Sequence, residues 1–223
     1  MRQFVCFLAV GVLSQTALAN PVIDDFLDAV SPNPLIGGTD VQVISVEQTV
    51  YVEAQPADIT STRTVTTSAG SSVTIGGGTI SLTTVGVGES LLLSYAGISA
   101  PVSLVDGFLR TNFFGPSVAG MFDVAVTLTS GASSSTVTKS IGGPVVASLH
   151  TDFRDDEFLP AAIGAIDGID ILITQTGGII GSFASTPGNL QAIPEPSSYV
   201  LLGLTSLIGF VAFRRRQNAV EAA

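Results

Sequence analysis

Ionisable side chains are densest in one short segment of the chain, Asp152-Phe153-Arg154-Asp155-Asp156-Glu157. Carboxylates gathered in a loop can supply the oxygen ligands that Ca²⁺ prefers. The segment therefore suggests a structural calcium site formed by Asp152, Asp155 and Asp156, provided that the loop curls to bring them together. The spacing differs from that of an EF-hand, which needs carboxylates at alternating positions and a glycine at the sixth. The alternative is a solvated acidic loop in which Arg154 pairs locally.

Catalytic chemistry has few candidates in this sequence. His150 is the only histidine, and Asp152, two residues on, would share its face of a strand and could orient the ring. No nucleophile accompanies this pair, and the Gly-x-Ser-x-Gly motif of many hydrolases is absent. We therefore expect no enzymatic activity, and we expect His150 to lie at the surface or at a strand end.

Aromatic residues that could stack on a sugar ring are scarce. The chain has no tryptophan, and only Tyr51 and Tyr95 lie in the part expected to fold. Phe113-Phe114 could lie exposed in a loop bounded by glycine and proline, although such pairs more often contribute to a core. Polysaccharide binding therefore stays open as an alternative role.

The elements that would position these residues are strands. Val, Ile and Thr dominate, and Gly- and Ser-rich turns separate short runs of alternating polarity. The alternation is clearest from Phe122 to Thr129 and from Ile169 to Thr174. This pattern predicts an all-β fold, an antiparallel β-sandwich that is jelly-roll-like; a β-solenoid would need a fixed internal period, which we do not find. The other predicted strands are Val41 to Val52, Thr62 to Thr67, Ser72 to Ile75, Thr79 to Val85, Ser90 to Tyr95, Val102 to Phe108, Ser135 to Ile141, Val145 to His150 and Ile179 to Ala184.

The N-terminus has the pattern of an export signal. A basic start, Met1-Arg2-Gln3, precedes an apolar stretch from Phe4 to Leu13, and Ala17-Leu18-Ala19 is a small-x-small cleavage site. We predict a signal peptide at residues 1–19, removed by signal peptidase after Ala19. The only cysteine, Cys6, lies within it, so the exported chain would contain no disulfide.

The charge of the exported part excludes one class of partner. Residues 20–191 contain sixteen acids and four bases, Arg63, Arg110, Lys139 and Arg154, which gives a net charge of −12. Such a surface repels phosphate backbones, so nucleic acid is not expected to bind.

The C-terminus carries a short membrane span. No charged residue lies between Glu195 and Arg214, and the run from Ser197 to Phe213 is predominantly apolar. The eighteen uncharged residues would extend roughly 27 Å as a helix, just enough to cross a bilayer core of about 30 Å. Arg214, Arg215 and Arg216 follow the span, and the positive-inside rule places them in the cytoplasm. Most of the chain would therefore lie outside the inner membrane.

The tail resembles the PEP-CTERM protein-sorting signal, because a Pro194-Glu195-Pro196 box, a single span and an arginine cluster follow one another at the end of the chain. Ile193 stands where that family most often has valine. The resemblance implies a bacterial protein that is exported, held transiently in the inner membrane, processed by an exosortase at the box and then carried to the cell surface or the extracellular space. Exosortase substrates often accompany exopolysaccharide production. The resemblance therefore implies a structural or adhesive role in an extracellular matrix, or binding of exopolysaccharide.

These features divide the chain into consecutive parts. A β-sandwich ectodomain would occupy residues 20–184, beginning with an ordered arm or edge strand, and a linker of Ser, Pro, Gly, Asn and Gln would follow at 185–192. The sorting signal would occupy 193–216, with its transmembrane helix at 197–213, and residues 217–223 would form a cytoplasmic tail.

Overall fold

A computed structural model describes most of the predicted ectodomain. The described residues are 22–46, 58–99, 102–105, 107–114, 121–142, 148–178, 181–184 and 190–194. The signal peptide at 1–19, the transmembrane segment at 197–213 and the cytoplasmic tail lie outside these ranges and stay predictions. Within the described ranges no helix is long and apolar enough to cross a membrane.

The described chain forms two antiparallel sheets. Sheet A has eight strands. These are β1 (Val22–Asp24), β2 (Leu35–Ile36), β5 (Ser71–Gly76), β6 (Thr79–Thr84), β8 (Gly107–Phe114), β11 (Ser148–Arg154), β13 (Gly181–Ala184) and β14 (Leu190–Pro194). Sheet B has six strands in the spatial order β10-β9-β12-β7-β4-β3. These are β3 (Thr39–Val46), β4 (Ile59–Thr67), β7 (Ser90–Ala96), β9 (Met121–Ser130), β10 (Ser133–Gly142) and β12 (Gly168–Gly177).

The core lies between the sheets, as strand alternation requires. Leu82 of sheet A and Phe122, Val124, Val126 and Leu128 of β9 are fully buried in one hydrophobic cluster. The inward direction predicted for the apolar residues of β9 is therefore confirmed, and the same holds for Ile169, Ile171 and Ile173 of β12. The antiparallel β-sandwich is confirmed, and its jelly-roll character stays a prediction.

Several strand boundaries differ from the sequence prediction, and two of them bear on the candidate site. The strand expected at Val102 to Phe108 begins only at Gly107, and Val102 makes an isolated bridge to Ile166. The strand expected at Val145 to His150 extends to Arg154, so the first half of the acidic segment is strand rather than loop. Its second half is a 3₁₀ helix, Asp155–Glu157, which is followed by the short helix α1, Pro160–Ile163.

The ends of the domain pair with each other. β1, the expected N-terminal edge strand, lies antiparallel to β14, with Val22 opposite Gln191. β14 also pairs with β8, so it has a neighbour on each side within sheet A. The predicted linker at 185–192 is therefore wrong in its last three positions, because residues 190–192 belong to the sheet.

Candidate functional site

The first proline of the Pro-Glu-Pro box lies inside the folded domain. Pro194 is the last residue of β14, and its register partner is Gly107 of β8. Leu190 and Ala192 are both buried, so this strand contributes to the core through alternate residues. A proline, which cannot donate a ladder hydrogen bond, is tolerated at the end of a strand. The remaining motif residues Glu195, Pro196, Arg214, Arg215 and Arg216, and the cleavage-site residues Ala17 and Ala19, lie outside the described residues, and their roles stay predictions.

A buried polar cluster joins the N-terminal arm to sheet B. The guanidinium of Arg63 on β4 donates to the carboxylate of Asp24 on β1, with Nη1 3.0 Å from Oδ2 and 3.3 Å from Oδ1. Its Nη2 donates to the Gln42 side chain at 3.0 Å and to the backbone carbonyl of Asp28. The Tyr95 hydroxyl donates to Asp24 Oδ2 at 2.9 Å. We call Asp24, Gln42, Arg63 and Tyr95 the Asp24 cluster.

Burial dominates the electrostatics of the Asp24 cluster. The side chains of Arg63 and Asp24 are 0% and 2% exposed. Desolvation raises the pKa of Asp24 and outweighs the opposing attraction of Arg63 and the hydrogen bonds from Phe26, Arg63 and Tyr95. Burial, together with the nearby Asp24 carboxylate, also raises the pKa of the Tyr95 hydroxyl well above its usual value. The cluster can hold the arm in place, but its ionic core of Asp24, Arg63 and Tyr95 is buried and offers no surface to a ligand.

Sequence reasoning missed this pairing, although a signal for it existed. In the sequence, Asp24 is one of three acids near the start of the ectodomain, with Asp25 and Asp28, and nothing local marks it as buried. In the predicted strand Thr62 to Thr67, however, Arg63 occupies the same phase as Val65, which points into the core. A buried arginine must find a carboxylate, since an unpaired buried charge is strongly unfavourable.

The acidic segment is tied to neighbouring strands. Asp152 forms a bidentate ion pair with Arg110 of β8, with distances of 2.8 Å and 3.1 Å. Glu157 accepts from Lys139 of β10 at 2.8 Å and from the backbone N–H of Arg154. Partial burial opposes ionisation of Glu157, but these bonds and the nearby cations together lower its pKa.

The structure does not gather the three predicted calcium ligands. Asp152 is engaged by Arg110 on the strand, while Asp155 Oδ1 accepts the backbone N–H of Asp156. In the described part of the chain, no group of three or more His, Cys, Asp or Glu side chains lies close enough to hold a metal ion. The backbone N–H of Arg154 bonds Glu157, and the Arg154 cation contributes to the lowered pKa of Glu157. Local pairing of the Arg154 side chain stays a prediction.

Two further candidates fall on strands of sheet A. His150 lies on β11 opposite Asn112 of β8, two positions from the Asp152–Arg110 pair. Phe113-Phe114 belongs to the end of β8 and not to a loop. Tyr95 is buried in the Asp24 cluster and is therefore unavailable to stack on a sugar.

One aromatic side chain does reach the outside of sheet A. Phe108 is half-buried, and the guanidinium carbon of Arg110 lies 4.9 Å from the centre of its ring. Arg110 in turn holds Asp152, so a ring, a cation and a carboxylate lie side by side across β8 and β11. Such a patch offers both an apolar surface and hydrogen-bonding groups.

Comparison with known proteins identifies the tail and leaves the domain unassigned. Residues 192–216 match the PEP-CTERM protein-sorting motif. No curated protein matches the chain. Among solved structures, the chain is similar to TmCBM61 in complex with β-1,4-galactotriose, with 14% identity, 60% of this chain and 88% of that chain covered, and a TM-score of 0.35. This likeness is too low to bear on function. The sorting motif implies an exosortase-sorted protein that is exported to the cell envelope or surface.

Proposed function

We propose that this chain is an exported, exosortase-processed protein of the cell surface or extracellular matrix, with a non-catalytic β-sandwich that has a structural or adhesive role. The observation that carries the proposal is the sorting motif at residues 192–216. The last strand of the domain, β14, ends at Pro194 inside this motif. The folded domain therefore runs directly into the sorting signal, as expected if this signal directs the domain to the exosortase.

The pairing of charged side chains supports a non-catalytic role. Asp24 is held by Arg63, Asp152 by Arg110, and Glu157 by Lys139. An acid or base catalyst needs a group that can exchange its proton with a substrate. These carboxylates instead join neighbouring elements of the fold to one another.

The expected route follows the order of the segments. Signal peptidase removes residues 1–19, and the helix at 197–213 then holds the protein in the inner membrane with Arg214 to Arg216 in the cytoplasm. The exosortase acts at Pro194-Glu195-Pro196. The ectodomain, free of the tail, then reaches the surface or the extracellular matrix.

Mass spectrometry of the intact protein from its native cells tests this route. We expect a chain that starts at Asn20 and ends near Pro196, and a chain that retains the tail in cells lacking the exosortase. Glu195→Gln should cause the tail to accumulate, whereas the matched substitution Glu221→Gln, outside the motif, should not. A mature protein that still carries Arg214 to Arg216 in normal cells would contradict the proposal.

The patch formed by Phe108, Arg110 and Asp152 favours polysaccharide binding as the second candidate function. A ring beside charged hydrogen-bonding groups on an outer sheet face can contact both the apolar face and the hydroxyls of a sugar. Affinity electrophoresis against exopolysaccharide from the producing cells should show retardation that Phe108→Ala reduces. Val87→Ala, at an exposed turn, is the control. Equal mobility with and without polysaccharide would end this alternative.

A further inference from the structure

The two ends of the described domain emerge side by side at one end of sheet A. β1 and β14 are antiparallel, with Val22 opposite Gln191 and Asp24 opposite Leu190. The chain therefore enters β1 at the same end of the sheet at which it leaves β14, at Pro194. Along the strands, Val22 and Pro194 are separated only by the rise from Gln191 to Pro194, which is about 10 Å.

The two predicted membrane segments lie close to these ends in the sequence. Three residue steps separate Val22 from Ala19, the end of the predicted signal peptide, and such a connection reaches at most about 11 Å. The same number of steps separates Pro194 from Ser197, the start of the predicted span. Ends that emerged from opposite ends of the sandwich would be about 33 Å apart, the length of a ten-residue strand such as β12. The observed arrangement instead lets the folded domain keep both segments in one bilayer without a long connection.

The strand next to the predicted span is needed to complete the fold. Leu190 and Ala192 of β14 are each 2% exposed and belong to the hydrophobic core. β14 pairs with β1 on one side and with β8 on the other. It is also the last strand along the described part of the chain. The core is therefore complete only when the chain up to Pro194, the first residue of the box, is in place.

The N-terminal arm positions β1, the neighbour of β14, through contacts that do not involve the tail. Asp24 of β1 is bound by Arg63 of β4 and by Tyr95 of β7, both in sheet B. The backbone carbonyl of Phe26 accepts from the N–H of Gly78, in the turn before β6 of sheet A, at 3.0 Å. All of these contacts lie within the domain, so they can form while the tail is still attached.

We propose that the domain folds on the membrane before its tail is removed, so that the exosortase receives a folded substrate in which β1 already pairs with β14. This inference rests on the exosortase-processed route proposed above, and it adds that the substrate is a folded domain and not an unfolded chain. The sheet holds the backbone as far as Pro194, which lies opposite Gly107 of β8. The bond that is cut therefore lies after Pro194, and the mature domain keeps the whole of β14.

A disulfide between the two strands tests when β1 and β14 come together. Val22→Cys with Gln191→Cys, combined with Cys6→Ser, places two thiols at directly opposite positions. The Cα atoms of opposite residues are about 4.5–5.5 Å apart, within the roughly 4.4–6.8 Å that a disulfide spans. In cells lacking the exosortase, we expect the tail-bearing protein to contain this disulfide, detected by mass spectrometry of unreduced peptides. Val22→Cys with Val87→Cys is the control, because Val87 follows β6, which lies four positions from β1 in sheet A.

The same samples separate this inference from the route on which it rests. A disulfide that forms only in the processed protein of normal cells, or in neither form, overturns the folded-substrate proposal. The C-terminal peptide reports on the route itself. A tail that persists in normal cells contradicts the route whether or not the disulfide is present, whereas a tail that is removed normally, with no disulfide in the tail-bearing form, contradicts only the folded-substrate proposal.

A second variant tests whether processing requires the folded state. Leu190→Asp places a carboxylate in the core and lies outside the sorting motif at residues 192–216. We expect pulse-chase labelling to show tail removal slowed at least about fivefold among the surviving chains, since an unpaired buried carboxylate leaves few chains folded. Val87→Asp, the same substitution at an exposed turn, should be processed at the wild-type rate. Tail removal from Leu190→Asp as fast as from the wild type overturns the proposal.

Discussion

Replacing Arg63 by methionine should destabilise the domain strongly at neutral pH. The substitution removes a buried cation and leaves the Asp24 carboxylate with only the Tyr95 hydroxyl and the Phe26 N–H as donors. The Asp28 carbonyl and the Gln42 side chain lose their bonds to the guanidinium as well. Arg63 Nε, which has no hydrogen-bond partner among the described residues, contributes nothing to this loss.

The expected magnitude follows from the burial of the pair. Removing one partner of a buried ion pair costs about 3–5 kcal/mol. For a domain of this size, each 1 kcal/mol lowers Tm by about 2–4 °C, so the fall should be about 6–20 °C. The urea midpoint should fall while the slope m stays constant, because the surface exposed on unfolding hardly changes.

The loss should also depend on pH, with a definite sign. Burial already holds the pKa of Asp24 above its usual value, and loss of Arg63 removes an opposing attraction and raises the pKa further. A raised folded-state pKa means that the stabilisation is complete below the unfolded value of about 3.9 and is lost as the pH rises through the folded-state pKa. Arg63→Met should therefore lose stability over a wider pH range than the wild type does.

Two comparisons give this prediction its control. Arg110→Met, the same substitution at the half-exposed Arg110–Asp152 pair, should cost no more than about 1 kcal/mol. Combining Arg63→Met with Asp24→Leu should recover much of the loss, since an apolar pair replaces a buried ionic one. The reasoning is refuted if Arg63→Met unfolds within about 2 °C of the wild type at pH 7, or if its loss is the same at pH 4 and pH 7.

The remaining predictions concern local contacts. The Ser68 hydroxyl, with the Gly70 N–H and the Ser71 hydroxyl, lowers the pKa of Glu89, so its stabilisation is lost as the pH falls through the folded-state value. The stability gap between wild type and Glu89→Gln in urea should therefore close towards pH 3, and a constant gap would contradict this. Lys139 joins the edge strands β10 and β11, so Lys139→Met should speed amide hydrogen exchange in β10 and β11 but not in β12. Unchanged exchange in β10 and β11 would show that this contact does not stabilise them. Gly77 has φ +60° and space for a Cβ, so a substitution there tests backbone strain alone. Gly77→Val should lower the free energy of unfolding in urea by about 1–2 kcal/mol, and Gly77→Asn should lower it less. Equal losses for the two variants would exclude a backbone origin.

Most strands of this fold could be predicted because their signal is local. In β9 and β12 every second residue is apolar over most of the strand, and turns rich in glycine and serine separate the elements. β14 escaped prediction because only Leu190 and Ala192 carry its inward pattern, and the prolines and polar residues around them are typical of a linker. The linker-like composition therefore predicted a loop, since two inward-facing residues are too few to indicate a strand.

The contacts of charged residues could not be predicted from local sequence. Asp152 lies in a dense acidic segment, which favoured a loop, yet its partner Arg110 is forty-two residues away on a neighbouring strand. Asp24 and Arg63 are thirty-nine residues apart and meet only after the arm folds onto sheet B. In contrast, the sorting motif is contiguous in the chain, and the sequence alone was enough to find it.

The position of β14 also determines how the domain would bear a mechanical load. β14 lies between β1 and β8, antiparallel to both, and in the sequence it is followed by the predicted membrane span. A pull on the C-terminal tail would act along this strand and load its hydrogen bonds to both neighbours together, in shear, instead of opening them one after another. A domain tethered through its tail, to a membrane or to a matrix, would thus resist tension through the strand that carries the first residue of its own sorting box.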